Sequence, residues 1–290
     1  MESSFKPIAT IQLVFTSVRQ RLWSLFGWSL LGMILIQLLQ ALINRILGNA
    51  AINFYELPLL LNSASQIGLG VFGIFIIGAL SSIALNGWLS VYLSNLGISA
   101  IRGQDFQVNQ AISSASRRLF SALVFSLLTS IIFFSIWLVY FVIVSALFNE
   151  GLLGVGWVMG VILGACALAS TLYVFAGLIT VYPMIAVENR GLDAIAAGWR
   201  VTRGNRLLII AYLILWILIF LAAVIVVGLI SMLFVSLFSL IGTGIFIGVI
   251  ISVIAGIALV IPCLGAATTI IPAVYEMLVG DKNNAIEVFE

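Results

Sequence analysis

An all-α polytopic membrane bundle of six transmembrane helices is the fold this sequence predicts, and three observations predict it. Hydrophobic residues make up 63% of the 290 and charged residues only 8%, against roughly 25% charged in a soluble domain. So few polar groups cannot cover that much apolar surface, so the solvent must be lipid. Six apolar runs reach the roughly 20 residues needed to cross the hydrocarbon core. The runs are continuous rather than alternating, which fits helices and excludes barrel strands, the other architecture that satisfies backbone polar groups in lipid. One integral membrane domain, 1–290, is expected.

The chain opens with "FKPIATIQLVFTSVRQRLW". Spacings of three and four put Ile8, Ile11, Phe15, Val18 and Leu22 on one helical face, and Pro7 suits a helix start. The first span, 22–47, is too long for a signal-peptide core and no small-residue cleavage site stands out, so it is expected to be retained. The outer connection "NAAINFYELPLLLNSAS", half-apolar, is expected to lie on the outer interface as a short helix. The second span covers 66–98. Next comes "DFQVNQAISSASRRLF", with Val108, Ala111, Ile112, Ala115 and Leu119 on one face and Asp105 as a candidate cap. Spans three and four cover 119–148 and 152–186. A third amphipathic stretch follows, with Leu192, Ile195 and Trp199 on one stripe and Gly204 with Asn205 as a helix stop. Spans five and six cover 206–238 and 242–278. Pro262, Pro272 and Gly265 mark the sixth as the one to bend.

The basic residues orient the bundle. Eleven of the twelve fall in the N-terminal segment, the second and fourth connections and the tail; the exception is Arg45. By the positive-inside rule that face is cytoplasmic, with both termini on it. Each of the three amphipathic stretches carries arginines near its C-terminal end: Arg19 and Arg21, Arg117 and Arg118, Arg200 and Arg203. Each is followed by two spans. The chain therefore parses into three parallel repeats of interfacial helix and two spans, at about 5–101, 102–187 and 188–282. The second spans carry small residues at every fourth position: Gly78, Ser82, Asn86, Ser90 and Ser94; Gly156, Gly160 and Gly164; Gly244, Gly248, Ser252 and Gly256. Small residues let helix backbones approach closely, so spans two, four and six are expected at the centre.

The segment "PMIAVENRGLDAIAAGWRVTRGN" and the close of the last span, "TTIIPAVYEML", resemble the signature pieces of a bacterial family of six-span inner-membrane proteins. That family includes the membrane domain of some glycerophosphoryl diester phosphodiesterases and the YciC-like proteins. The matching features are a Pro before a span end, the acid–Asn–Arg–Gly run Glu188–Gly191, the alanine-rich helix with Trp199–Arg200, the Arg–Gly–Asn stop Arg203–Asn205, and Tyr275–Glu276. The resemblance implies a bacterial inner-membrane location and a fold, not an activity. The phosphodiesterase chemistry belongs to a separate soluble barrel domain, for which these residues leave no room.

Candidate chemistry is sparse. There is no histidine, which removes the commonest general base and metal ligand. Cys166 and Cys263 lie inside apolar runs and fit small buried hydrophobes, not a disulfide framework or a metal site. No mid-span position is charged, so proton-coupled transport is not expected. Asn86, Thr268 and Thr269 are the candidate polar intramembrane positions. Of Glu188 and Asp193, one is expected to pair with a nearby arginine and the other to cap the helix. No catalytic, metal or cofactor site can be assembled. A net charge of +2 gives no reason to expect nucleic acid. The best candidates are Arg19, Arg21, Arg117, Arg118, Arg190, Arg200, Arg203 and Arg206, a basic collar for anionic lipid headgroups or a protein partner. The expected function is a non-enzymatic scaffold or accessory subunit. The alternative is a transporter or lipid-moving protein with a site between spans two and six.

Overall fold

The computed structural model describes residues 5–50, 68–149, 153–239 and 244–280. Every regular element among them is helical. In chain order these are α1 (Pro7–Ala50), α2 (Gly68–Ile101), α3 (Val108–Arg117), α4 (Leu119–Asn149), α5 (Leu153–Leu178), α6 (Val181–Val187), α7 (Asp193–Val201), α8 (Arg206–Ser239) and α9 (Gly244–Tyr275), closed by a π-helical turn, Glu276–Gly280. Six of the helical stretches are long and apolar enough to cross a membrane, which makes this a multi-pass membrane protein. The expected outer-surface helix around residues 49–65 falls largely outside the described residues, as do the side chains of Gly244, Gly248 and Ser252.

Two breaks interrupt the long helical runs. α1 begins at Pro7 and is interrupted at Arg21, whose φ and ψ of −130° and 27° are not helical. The fourth apolar run, expected as one span, is divided at Ile179–Thr180 into α5 and α6. Pro183 accounts for this: it lacks an N–H for the carbonyl of Ile179, and its ring would clash with that carbonyl in a continuous helix. The sixth span, by contrast, stays helical through Pro262 and Pro272 as far as Tyr275.

α2 and α9 form the centre. They contribute Val91, Tyr92, Leu96 and Ile98 on one side and Ala266, Ile270, Ala273 and Val274 on the other, all buried. α1 packs against both, α8 against α9 and α4 against α2, while α5 packs against α4 and α8. Spans two and six are therefore central as expected. Span four is not, over its outer half: Gly156, Gly160 and Gly164 receive Phe148, Val144 and Tyr140 of α4, and the large residues around them are exposed. There the missing Cβ admits a neighbour's bulky side chain rather than a backbone. Gly256 has nothing near it.

The closest approaches lie at other glycines. A Cβ on Gly97 would sit 2.4 Å from the Thr268 carbonyl oxygen and 2.6 Å from Pro272 Cγ, and one on Gly177 would sit 2.4 Å from the Trp199 ring.

In two of the three amphipathic helices the bundle is met mainly by residues outside the apolar stripe. Before the break in α1 the buried residues are Thr10, Val14, Ser17 and Val18, while Ile8 is 72% and Phe15 52% exposed. In α7 they are Ala194, Ala197 and Gly198, leaving Leu192 and Trp199 on the outer flank. Only α3 buries the predicted Ala111 and Ala115, although Leu119 beyond it is exposed. The reason is general to this bundle. Lipid solvates Leu, Ile and Phe as well as another helix does, so helix contact is made by small residues and by hydroxyls that bond their own backbone. Thr10 and Ser17 donate to the carbonyls of Lys6 and Leu13, each at 2.8 Å.

Candidate functional site

The richest polar site lies at the basic end of the bundle, where three chain segments converge. α2 ends in a turn that requires left-handed backbone: Gly103 has φ +68°, and Gln104 N–H donates back to the Ser99 carbonyl at 2.9 Å, a glycine-based helix stop. The chain then returns in α3, which lays its alanine face on the bundle. Gln107, not Asp105, precedes α3, and no side chain caps it. α6 ends at the third segment, where Asn189 has φ +57°, a conformation asparagine tolerates better than most residues.

Between these segments lies a cavity of about 400 Å³, lined by Arg102, Arg117 and Arg118 with Asn95, Ser99, Gln104, Gln110, Ser113, Ser114 and Asn189. A second of about 520 Å³ adjoins it, sharing Asn95, Ser99, Gln104 and Gln110. Together they make one polar cleft.

Its walls are braced by ion pairs. Arg102 Nε contacts Glu276 Oε1 at 2.8 Å. Tyr275 donates its hydroxyl to Glu188 Oε1 at 2.8 Å, and the other Glu188 oxygen takes Arg190. Arg190 also lies 3.9 Å from Asp193. Both acids are thus partnered by one arginine, and Asp193 sits in the first turn of α7 without capping it. The acid–Asn–Arg–Gly run and the Tyr–Glu ending, far apart in sequence, meet through Tyr275 and Glu188. Tyr275→Phe is expected to lower stability by about 1 kcal/mol, as for one partly exposed hydrogen bond to a charged group. Thermal unfolding in detergent would measure it, and the loss should shrink when Glu188→Gln is already present.

Apart from Arg190, which is held by Glu188 and Asp193, the collar divides into two groups. Arg21, Arg118 and Arg206 are structural. Arg21 donates to the carbonyls of Gly103 and Gln104 and stacks on Phe106. Arg118 donates to the Ile185 carbonyl. Both serve helix C-terminal ends, where carbonyls lack partners and the dipole favours a cation. Partial burial draws the Arg118 pKa below its ordinary value, yet a guanidinium stays charged. Arg206 is 7% exposed, lies 3.6 Å over the Trp199 ring and 4.8 Å over Tyr173, and donates to Tyr173 Oη and the Trp199 carbonyl. Arg19, Arg117, Arg200 and Arg203 are exposed. Among the described residues no carboxylate pairs with any of them. Arg102, absent from the expected collar, is the residue that joins the cleft to the C-terminal turn.

A second, apolar groove of about 640 Å³ lies beside α7. It is formed by Leu128 and Ile132 of α4, Val174 and Leu178 of α5, and Leu192, Ile195, Ala196, Trp199 and Arg200.

Within the membrane, Asn86 and Thr268 are not brought together. Asn86 is exposed and donates to the Ser82 carbonyl at 2.8 Å. Thr268 lines a cavity of about 240 Å³ with Ser90, Ser94, Thr129 and Tyr182. Thr269 is fully buried and bonds its own helix. Among the described residues, no three His, Cys, Asp or Glu side chains gather into a group that could hold a metal ion. No family model, curated protein or solved structure matches this chain.

Proposed function

We propose that this is a non-enzymatic protein of the bacterial inner membrane that organises anionic lipid, or a partner protein docked through such lipid, on its basic face. That face, with both termini, is cytoplasmic in this reading. The sequence of short basic helix and two long helices is a threefold parallel repeat that sets arginines around one rim.

One observation carries the proposal: Arg200 is the one charged residue lining the apolar groove between α4, α5 and α7. An open apolar groove lined by one cation free of carboxylate matches a phospholipid, its acyl chain on the apolar wall and its phosphate on the arginine. Arg203 adds a second such charge one turn on. Each basic residue near an anionic surface contributes about 1 kcal/mol, and about 1.4 kcal/mol is tenfold in affinity. Arg200→Glu with Arg203→Glu is therefore expected to cut retained phosphatidylglycerol at least about tenfold, by native mass spectrometry from mixed phosphatidylglycerol–phosphatidylcholine nanodiscs. An unchanged set of lipids and partners would reduce these arginines to topological anchors.

The intramembrane cavity at Thr268 favours a second reading, transport of a small neutral solute or lipid. Its wall is largely apolar, its hydroxyls mostly bond within the protein, and Tyr182 Oη lies 2.6 Å from Ser126 Oγ. It is the weaker reading because those hydroxyls are already engaged and no charged group lines the cavity.

A further inference from the structure

The geometry points to a binding site for a small phosphate ester in the cleft between the C-terminal end of α2, α3 and the end of α6. This site is distinct from the lipid groove. Nothing in the cleft resembles a seat for an acyl chain. Its walls are mostly guanidinium, amide and hydroxyl groups, with Ile98, Ala186 and Val187 between them, whereas the groove beside α7 is apolar with one arginine. Its size falls within the range of small-molecule pockets, about 300–1,000 Å³.

The charge balance fits a dianion. Arg102, Arg117 and Arg118 line the first cavity with no carboxylate among its lining residues; Asp105 lines only the adjoining one. Arg102 gives Nε to Glu276, and Arg118 gives Nη1 to Ile185. Each guanidinium has five donors, so both keep others to offer. Arg117 is exposed, and its guanidinium has no partner among the described residues. It costs no internal contact to turn onto a ligand. Guanidinium forks suit phosphate, and hydrogen bonds between charged partners are the strong ones. The side chains of Gln110 and Ser113 are likewise unpartnered among the described residues. They can serve hydroxyl groups on the organic part, which makes a polyol phosphate the matching class. The same chemistry could arrive as a soluble ester or as a phosphorylated headgroup reaching in from the membrane.

The test uses the full chain in phosphatidylcholine nanodiscs, titrated calorimetrically at low ionic strength with inorganic phosphate, a hexose 6-phosphate and the unphosphorylated hexose. Saturable binding of the hexose phosphate is expected with a Kd on the order of 1 mM or tighter, weaker binding of phosphate alone, and none of the free hexose. Arg117→Ala, which removes no internal contact, should weaken binding at least about tenfold, while Arg200→Ala should leave it unchanged. Repeating the titration in nanodiscs containing phosphatidic acid separates the sources. Competition that depends on Arg117 assigns the site to a lipid headgroup, and absence of competition assigns it to a soluble ester. No saturable binding by the parent protein, or binding indifferent to Arg117→Ala, would overturn the inference. The lipid reading of the groove stands or falls separately, through Arg200 and Arg203.

Discussion

Gly97→Leu is expected to abolish the folded bundle outright. Pro272 has no N–H, so the carbonyl of Thr268 has no α-helical partner. α2 passes directly against that carbonyl, close enough that any Cβ on Gly97 would lie 2.4 Å from its oxygen. A flexible side chain could swing aside; a backbone carbonyl on a helix cannot. Overpacking of a well-packed core usually costs about 1–3 kcal/mol, and here the obstruction is backbone at the axis of the molecule. Even Gly97→Ala should fall at the upper end of that range, and Gly97→Leu should leave no monodisperse protein after detergent extraction. Gly256→Leu, at a position with nothing within 4 Å, is the matched control and should extract normally. Normal size-exclusion behaviour of Gly97→Leu would mean that α2 and α9 can part without loss.

Arg206→Ala is expected to destabilise by about 3 kcal/mol, while Arg203→Ala, three residues earlier, changes stability by less than about 0.5 kcal/mol. Arg206 contributes through a desolvated stack on Trp199, worth about 2 kcal/mol, and through two hydrogen bonds from a charged donor, about 1.5–3 kcal/mol each. Burial of the charge offsets much of that sum, which is why the net figure is smaller. Arg206→Met keeps the apolar stem and is expected to lose less than Ala. Thermal unfolding of the three variants in one detergent would decide it. Equal losses for Arg203→Ala and Arg206→Ala would deny Arg206 its role as the rivet between α5, α7 and α8.

The six spans were legible because lipid imposes a crude and strong rule, an apolar run of sufficient length, that needs no tertiary information. The faces were not. Amphipathicity marks Ile8, Ile11 and Phe15 as an apolar stripe but does not say which residues meet another helix, and those include Thr10, Val14 and Ser17. A hydrophobic scale ranks side chains by their dislike of water, and at these positions water is not the competitor. The break before Pro183 could have been taken from the sequence, since the proline stands one turn after it. The candidate site was half legible. Arginines at span ends can set topology, close a helix end or await a ligand, and sequence position does not separate Arg118 from Arg117. The partners that do, the Ile185 carbonyl and the open cleft, belong to segments about 70 residues away. Arg102 became visible only once α9 brought Glu276 to it.

Phe5 donates its backbone N–H to the side-chain oxygen of Asn205 at 3.1 Å, and its ring packs edge-on against Tyr212, 5.7 Å between centroids. The consequence concerns the order of biogenesis. Residues emerge from the ribosome in sequence, so Phe5 is made some two hundred residues before either partner. The inner face of α1, which also packs against α9, must wait in the membrane, incompletely covered, through the insertion of four further spans. Insertion is therefore vectorial but closure is not: the first segment made is among the last to complete its contacts. A nascent chain stalled before residue 205 should leave the start of α1 open to crosslinking by insertion machinery, and release past Tyr212 should end that contact.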